Sequence, residues 1–208
     1  MAAVIKQIIF DMDDVLCRTD FAHRLAALGQ ATGLDTATID AATFQSGFEN
    51  LADRGNYSAD EYLRQFGERL GVPLSRKDWL DARRGAMTPD HDILALVQRL
   101  QQQLPVAMLT NNGPLLQECL GEVFPEAAAL FGDRAFFSCQ FQSSKEEPEI
   151  FRAILKTLDG RPETTLFIDD SEIYTASAQA AGLVTHHYRG IDGLKETLRL
   201  FDLLPCGT

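Results

Sequence analysis

Three things are scarce in this chain. Its four cysteines, Cys17, Cys119, Cys139 and Cys206, are scattered, with no CxxC pair or Cys/His cluster at metal-site spacing. They read as reduced thiols of a cytoplasmic protein. No apolar run approaches the ~20 residues of a membrane span. MAAVIKQIIF at the amino terminus has no long apolar region with a cleavage site, so neither a membrane nor a secretory leader is expected. Basic charge is the third scarcity: 19 Lys and Arg face 30 Asp and Glu, for a net charge of −11. Such a surface repels a polyanion, so nucleic acid is not an expected partner. A small phosphorylated substrate stays possible if a metal ion neutralises its site locally. Internal repeats and low-complexity tracts are absent too.

What is present suits an ordinary globular protein: 208 residues, 45% hydrophobic and 24% charged, enough for one large domain or a core with an insertion. Residues 4–10, VIKQIIF, form an apolar run rich in β-branched residues, which reads as a strand buried on both faces. It ends in Asp11, Met12, Asp13 and Asp14. Residues 19–88 then change character. Apolar residues at three- and four-residue spacing predict helices over 20–32, 35–45, 58–70 and 75–86, with almost no strand-like run. Ser58 and Ser75 are expected helix caps, and Gly55-Asn56 and Gly71-Val72-Pro73 are breaks. From residue 89 helices over 90–103, 115–123, 147–158, 171–181 and 193–200 alternate with strands over 105–109, 135–139, 164–168 and 183–188. Alternation of this kind predicts an α/β fold: a doubly wound parallel sheet, residues 1–18 and 89–208, with a helical insertion over 19–88.

In a parallel sheet the carboxyl ends of all strands lie on one edge, where ligands bind. Four strand ends here carry polar groups: Asp11 and Asp13; Thr110 and Asn111; Lys145; and Asp169 with Asp170. Carboxylates so crowded repel one another, and a hard divalent cation, most simply Mg²⁺, relieves them with oxygen ligation. An aspartate beside such an ion can attack phosphorus, and a second carboxylate two residues on can move protons to and from the leaving oxygen and water. Thr110, Asn111 and the Lys145 ammonium would hold the other phosphoryl oxygens.

FDMDDVL at 10–16, MLTNNG at 108–113, SKEEPEIF at 144–151 and FIDDS at 167–171 resemble the four ordered motifs of the haloacid dehalogenase (HAD) superfamily. With the helical insertion between the first two, the resemblance is to its subfamily I, which has a Rossmann-like core and a helical-bundle cap. The stretch FENLADRGNYSADEYLRQF at 48–66 resembles the branch of sugar-phosphate phosphatases such as α-D-glucose-1-phosphate phosphatase. The resemblance implies Mg²⁺-dependent hydrolysis of a small phosphomonoester. It makes Asp11 the nucleophile, Asp13 the general acid/base, Thr110 and Asn111 phosphate binders, and Lys145 the cation that steadies nucleophile and phosphate. It makes Asp170 a direct Mg²⁺ ligand with Asp11 and the backbone carbonyl of Asp13, with Asp169 acting through water. The chain departs from the pattern at Asp14, where the family has Gly; at Glu146, where Pro usually follows the lysine; and at Tyr174, where a small amide or acid is common.

Several residues carry two readings. Thr19 and His23 stand at spacings also found in β-phosphoglucomutase-like members, so His23 either meets substrate or sits at a domain junction. Arg18 and Arg24 either bind a substrate anion or are solvated helix charges. Phe44, Phe48 and Tyr57 line a specificity pocket or fill the cap's own core. Cys17 reads as a small buried hydrophobe, and His186 and His187, lacking a third ligand, receive no metal role. The rival functions are a 2-haloacid dehalogenase, a phosphomutase and, outside enzymes, a receiver-like module phosphorylated on aspartate. Monomer and homodimer are equally compatible with the sequence.

Overall fold

The computed structural model describes residues 4–205, so Cys206 lies outside the described residues. The first strand, β1 (Gln7–Phe10), is wholly buried. It starts later than its apolar run suggests. Val4 is 70% exposed, because the first backbone bond on this side is made by Lys6 N to the Thr164 carbonyl, next to β6, and Val4 lies before it.

After the acidic turn come β2 (Cys17–Thr19) and five helices, α1 (Phe21–Thr32), α2 (Thr36–Ala42), α3 (Phe48–Asp53), α4 (Ala59–Leu70) and α5 (Arg76–Gly85). The chain returns through β3 (Met87–Pro89), which pairs antiparallel with β2. This ribbon was not expected; strands of three residues are too short to show alternation. The expected caps are in place: Ser58 accepts from Glu61 N and Ser75 from Asp78 N. Helix α3 has no such signal. It opens at left-handed Gly47 without a side-chain cap and runs for six residues, hence its absence from the sequence reading.

The rest alternates: α6 (His91–Leu100), β4 (Val106–Thr110), α7 (Pro114–Val123), α8 (Pro125–Phe131), β5 (Ala135–Phe137), α9 (Pro148–Thr157), β6 (Thr165–Asp169), α10 (Glu172–Ala180), β7 (Val184–His187) and α11 (Ile191–Leu200). Helix α8 was also unforeseen, since Phe124 leaves the helical region and Pro125 restarts the helix at its first position. The strands form one parallel sheet in the order β5-β4-β1-β6-β7. Ile8, Phe10, Met108 and Ile168 pack into one apolar layer with Ile93, Val97 and Leu115. Ile9, Leu109 and Phe167 pack into the other with Ile150, Phe151 and Ile154. Both faces are covered, so the strands read as continuous apolar runs and the fold is doubly wound α/β. No helix among the described residues is long and apolar enough to cross a membrane.

The five inserted helices have their own aromatic centre, in which Phe48 stacks on Tyr62 at 5.2 Å and Trp79 meets Tyr62 edge-on at 6.0 Å. Helix α3 presses this layer onto the sheet. A Cβ on Gly113 would lie 3.3 Å from Ala52, and one on Gly55, whose φ is +73°, would lie 2.3 Å from the Cys139 carbonyl oxygen. Gly55→Ala combines a left-handed backbone with a collision against main chain, and we expect it to lower unfolding free energy by more than about 1 kcal/mol in urea titration. An unchanged midpoint would contradict this close approach.

Candidate active site

The carboxyl ends of β1, β4 and β6, with the loop after β5, meet at one place. Asp11 directly follows β1, Thr110 ends β4, and Asp169 ends β6 with Asp170 next. Lys145 comes in from the β5 side and is 1% exposed. Its Nζ lies 2.6 Å from Asp11 Oδ1 and 2.7 Å from Asp169 Oδ2. The rings of Phe167 and Tyr174 flank the ammonium at 5.9 and 4.7 Å. Oxygens of Asp11, Asp169 and Asp170 lie within 4.8 Å of one another.

One cation thus faces three carboxylates. Burial pushes the Asp11 carboxyl well up against the pull of Lys145, and burial and the charge of Asp169 raise Asp170. Burial alone would lower the Lys145 ammonium, but Asp11 and Asp169 outweigh it and hold it above the usual lysine range. Asp169 is fixed further by Ser171 N, which donates to Oδ1 at 2.8 Å. Asp11 Oδ1 is buried, with the Lys145 ammonium 2.6 Å away. A deficit of positive charge in an all-oxygen donor set fits a hard divalent cation.

The Asp13 carboxylate turns away from this trio. Arg83 Nη2 donates to both its oxygens at 2.8 Å, Thr19 Oγ1 to Oδ1 at 2.7 Å and Asn112 Nδ2 to Oδ2 at 3.0 Å. Burial raises this carboxyl, yet the Arg83 charge and these hydrogen bonds together bring it down to about 2. Asp14 has a φ of 56° and accepts from Thr19 N at 2.9 Å, so it does a glycine's work in the turn. Asn111 braces the neighbouring loop: its Oδ1 accepts from Lys145 N at 3.0 Å and its Nδ2 donates to Ser144 Oγ at 3.1 Å. Asn112 Nδ2 also donates to Thr110 Oγ1 at 2.7 Å.

Arg83 and Asn112 were missed by the sequence reading. A signal existed for Arg83, which shares the buried stripe of α5 with Trp79 and Ala82. The same logic corrects Arg24. It is not a solvated helix charge: it lies on the buried face of α1 with Leu25 and Leu28 and is 8% exposed. Arg18 and His23 are exposed, Phe48 is buried, and Phe44 and Tyr57 are partly so. Cys17 is buried, with its thiol raised by burial. His187 Nε2 lies 2.8 Å from the Asp170 carbonyl oxygen and His186 Nδ1 2.8 Å from Thr197 Oγ1.

Parallel strands that gather an aspartate, a buried lysine and an acidic pair at one edge define an α/β protein built for hydrolytic chemistry. The family model for haloacid dehalogenase-like hydrolases matches residues 5–182, and the chain belongs to that family. It is 28% identical over 172 residues to a D-ribitol-5-phosphate phosphatase of Bacteroides thetaiotaomicron, covering 80% of this chain and 84% of that one. It is 29% identical to the sesquiterpene phosphatase astK of Aspergillus oryzae, covering 99% and 100%. Among solved structures, a HAD family enzyme of Bacteroides thetaiotaomicron in complex with magnesium and inorganic phosphate superposes with a TM-score of 0.72 at 22% identity, covering 88% and 93%.

The Arg83–Asp13 pair yields a pH prediction. An ordinary aspartate titrates near pH 4; Asp13 is held at about 2. Its folded value is depressed, so the stabilisation is complete above about pH 4 and is lost as pH falls towards 2. Wild type should therefore exceed Arg83→Met in unfolding free energy by about 3 kcal/mol at about pH 6, the cost of leaving a partly buried charge unpaired. The gap should close steadily below about pH 4. A gap independent of pH would mean that the pair is not ionic.

Proposed function

We propose that the chain is a Mg²⁺-dependent phosphatase of a small phosphorylated metabolite, working through an aspartyl phosphate on Asp11. The observation that carries this reading is the buried Lys145, which bridges Asp11 and Asp169 with Asp170 alongside. The relatives named as phosphatases, and the magnesium and phosphate held by the structural neighbour, support it. Asp11, the backbone carbonyl of Asp13 and Asp170 would hold the cation, with Asp169 at one remove. Bound there, it would draw charge off the phosphoryl oxygens and relieve the crowded carboxylates.

In the first step a carboxylate oxygen of Asp11 forms a bond to phosphorus and the bond to the leaving oxygen breaks, with Asp13 giving that oxygen its proton. In the second, Asp13 takes a proton from water, the water oxygen bonds to phosphorus, and the Asp11–phosphorus linkage breaks to release inorganic phosphate. Arg83 keeps Asp13 ionised as the second step requires; the first requires Asp13 to exchange Arg83 for the leaving oxygen. Thr110, Asn111 and Lys145 hold the phosphoryl group. An acid/base group two residues after the nucleophile is out of place in a 2-haloacid dehalogenase, whose aspartate attacks carbon.

In this reading residues 1–18 and 89–208 form the catalytic core and 19–88 a helical cap, hinged at the β2–β3 ribbon. Cap closure excludes bulk water and supplies substrate contacts. The enzyme would work in the cytoplasm as a monomer or homodimer. The two relatives are named for leaving groups as unlike as a pentitol and a sesquiterpene, so kinship leaves the substrate open.

Phosphate release from sugar phosphates, nucleotides and small phosphomonoesters, with Mg²⁺ and with EDTA, tests the reading. Turnover should require the metal and fall at least about 10³-fold in Asp11→Asn. Chloride release from 2-chloropropionate without metal, and no phosphate release, would replace phosphatase chemistry with dehalogenation.

A further inference from the structure

The acidic pair at the end of β6 is held in two different ways. Asp169 is fixed through its side chain, by Lys145 Nζ on Oδ2 at 2.7 Å and by Ser171 N on Oδ1 at 2.8 Å. Asp170, the exposed member of the carboxylate trio, is held through its main chain. Its carbonyl oxygen lies 2.8 Å from His187 Nε2, and because a carbonyl only accepts, that nitrogen carries the hydrogen and donates it.

Topology explains why a side chain is needed there. Strand β7 runs parallel to β6 with His187 opposite Asp169. A main-chain bond from Tyr188 N to the Asp169 carbonyl, at 2.8 Å, closes this ladder. Strand β7 ends at His187, so the next carbonyl, that of Asp170, takes its hydrogen bond from the His187 ring. The side chain thus extends the sheet by one carbonyl, where the strand gives way to the acidic loop. Each bond grips a rigid unit, since a peptide group is planar and turns as a whole. The group before Asp170 is held by Tyr188 N on the Asp169 carbonyl. The group after it is held at both ends, by His187 on the Asp170 carbonyl and by Asp169 Oδ1 on Ser171 N–H. With both planes held, φ and ψ of Asp170 are set, and its carboxylate moves only through its own side-chain torsions.

We propose that His187 is a positioning residue for the cation: its hydrogen bond to the main chain aims the Asp170 carboxylate at the place shared with Asp11, and so sets the affinity for Mg²⁺. Groups that orient metal ligands from behind govern affinity because a ligand already in place need not be ordered by the ion. Without the ring, Mg²⁺ would have to order the Asp170 peptide itself. The inference rests on the proposed Mg²⁺ site and deepens it.

Its test is the dissociation constant for Mg²⁺ without substrate, by isothermal titration calorimetry on the full chain, in wild type, His187→Phe and His187→Gln. Phenylalanine fills the space of the ring without a donor, and glutamine keeps an N–H at similar reach. His187→Phe should weaken Mg²⁺ binding about tenfold or more, with kcat at saturating Mg²⁺ within about threefold of wild type. His187→Gln should stay within about threefold of wild type in affinity. His187→Ala, which only shortens a partly exposed side chain, carries the same expectation as His187→Phe if the latter does not fold. A donor-less variant that binds Mg²⁺ within about twofold of wild type, whatever its thermal midpoint, would overturn the proposal while leaving the phosphatase reading standing. So would His187→Gln as weak as His187→Phe. A wild type that binds no Mg²⁺ would overturn both.

Discussion

Everything at the sheet edge depends on a shortage of positive charge. One ammonium, that of Lys145, is buried against Asp11 and Asp169 with Asp170 beside them. Carboxylates at such distances and in so little water cannot all be ionised at ordinary cost. The parallel sheet makes the shortage unavoidable, since it brings the ends of β1 and β6 side by side. The loop after β5 then delivers a lysine whose backbone nitrogen is fixed by Asn111. A site in this condition favours any ligand that adds positive charge or spreads negative charge. That preference makes a divalent cation the natural occupant of this place.

The inserted helices are coupled to this edge through charge as well as packing. Arg83, from α5, holds Asp13 in its ionised form, while Arg54 pairs with Glu147 at 2.6 Å on the far side of the cleft. Ser143 Oγ also donates to Glu147, at 2.7 Å. The first contact is buried on the arginine's side and the second is about one-third exposed, so most of the electrostatic link runs through Arg83. A displacement of these helices from the sheet edge would therefore change the company of Asp13 before it changed anything at Lys145.

Much of this was legible in the chain. Alternating apolar segments announced the doubly wound sheet, because strands covered on both faces read as unbroken runs. Asp11, Lys145 and Asp169 were legible as strand-end polar groups, and topology alone brings such groups together. Helix α3 and the β2–β3 ribbon were not, since six- and three-residue elements carry too few side chains to set a period. Arg24 and Arg83 were hidden for another reason: a charged residue on a helix reads as solvated, and only its place on an apolar stripe reveals that it points inward. Arg83 holds the Asp13 carboxyl down to about 2, so part of the site's electrostatics was among the features least visible in the sequence.

The most direct measurement is acid-quenched turnover of a phosphomonoester in oxygen-18 water, followed by mass analysis of the peptide that carries Asp11. Attack by Asp11 on phosphorus, and by water on the resulting phosphoryl group, predicts a peptide heavier by one phosphoryl group and free of oxygen-18, with the label in the released phosphate. A peptide that never carries phosphate, or one whose Asp11 carboxylate takes up oxygen-18, would contradict the account.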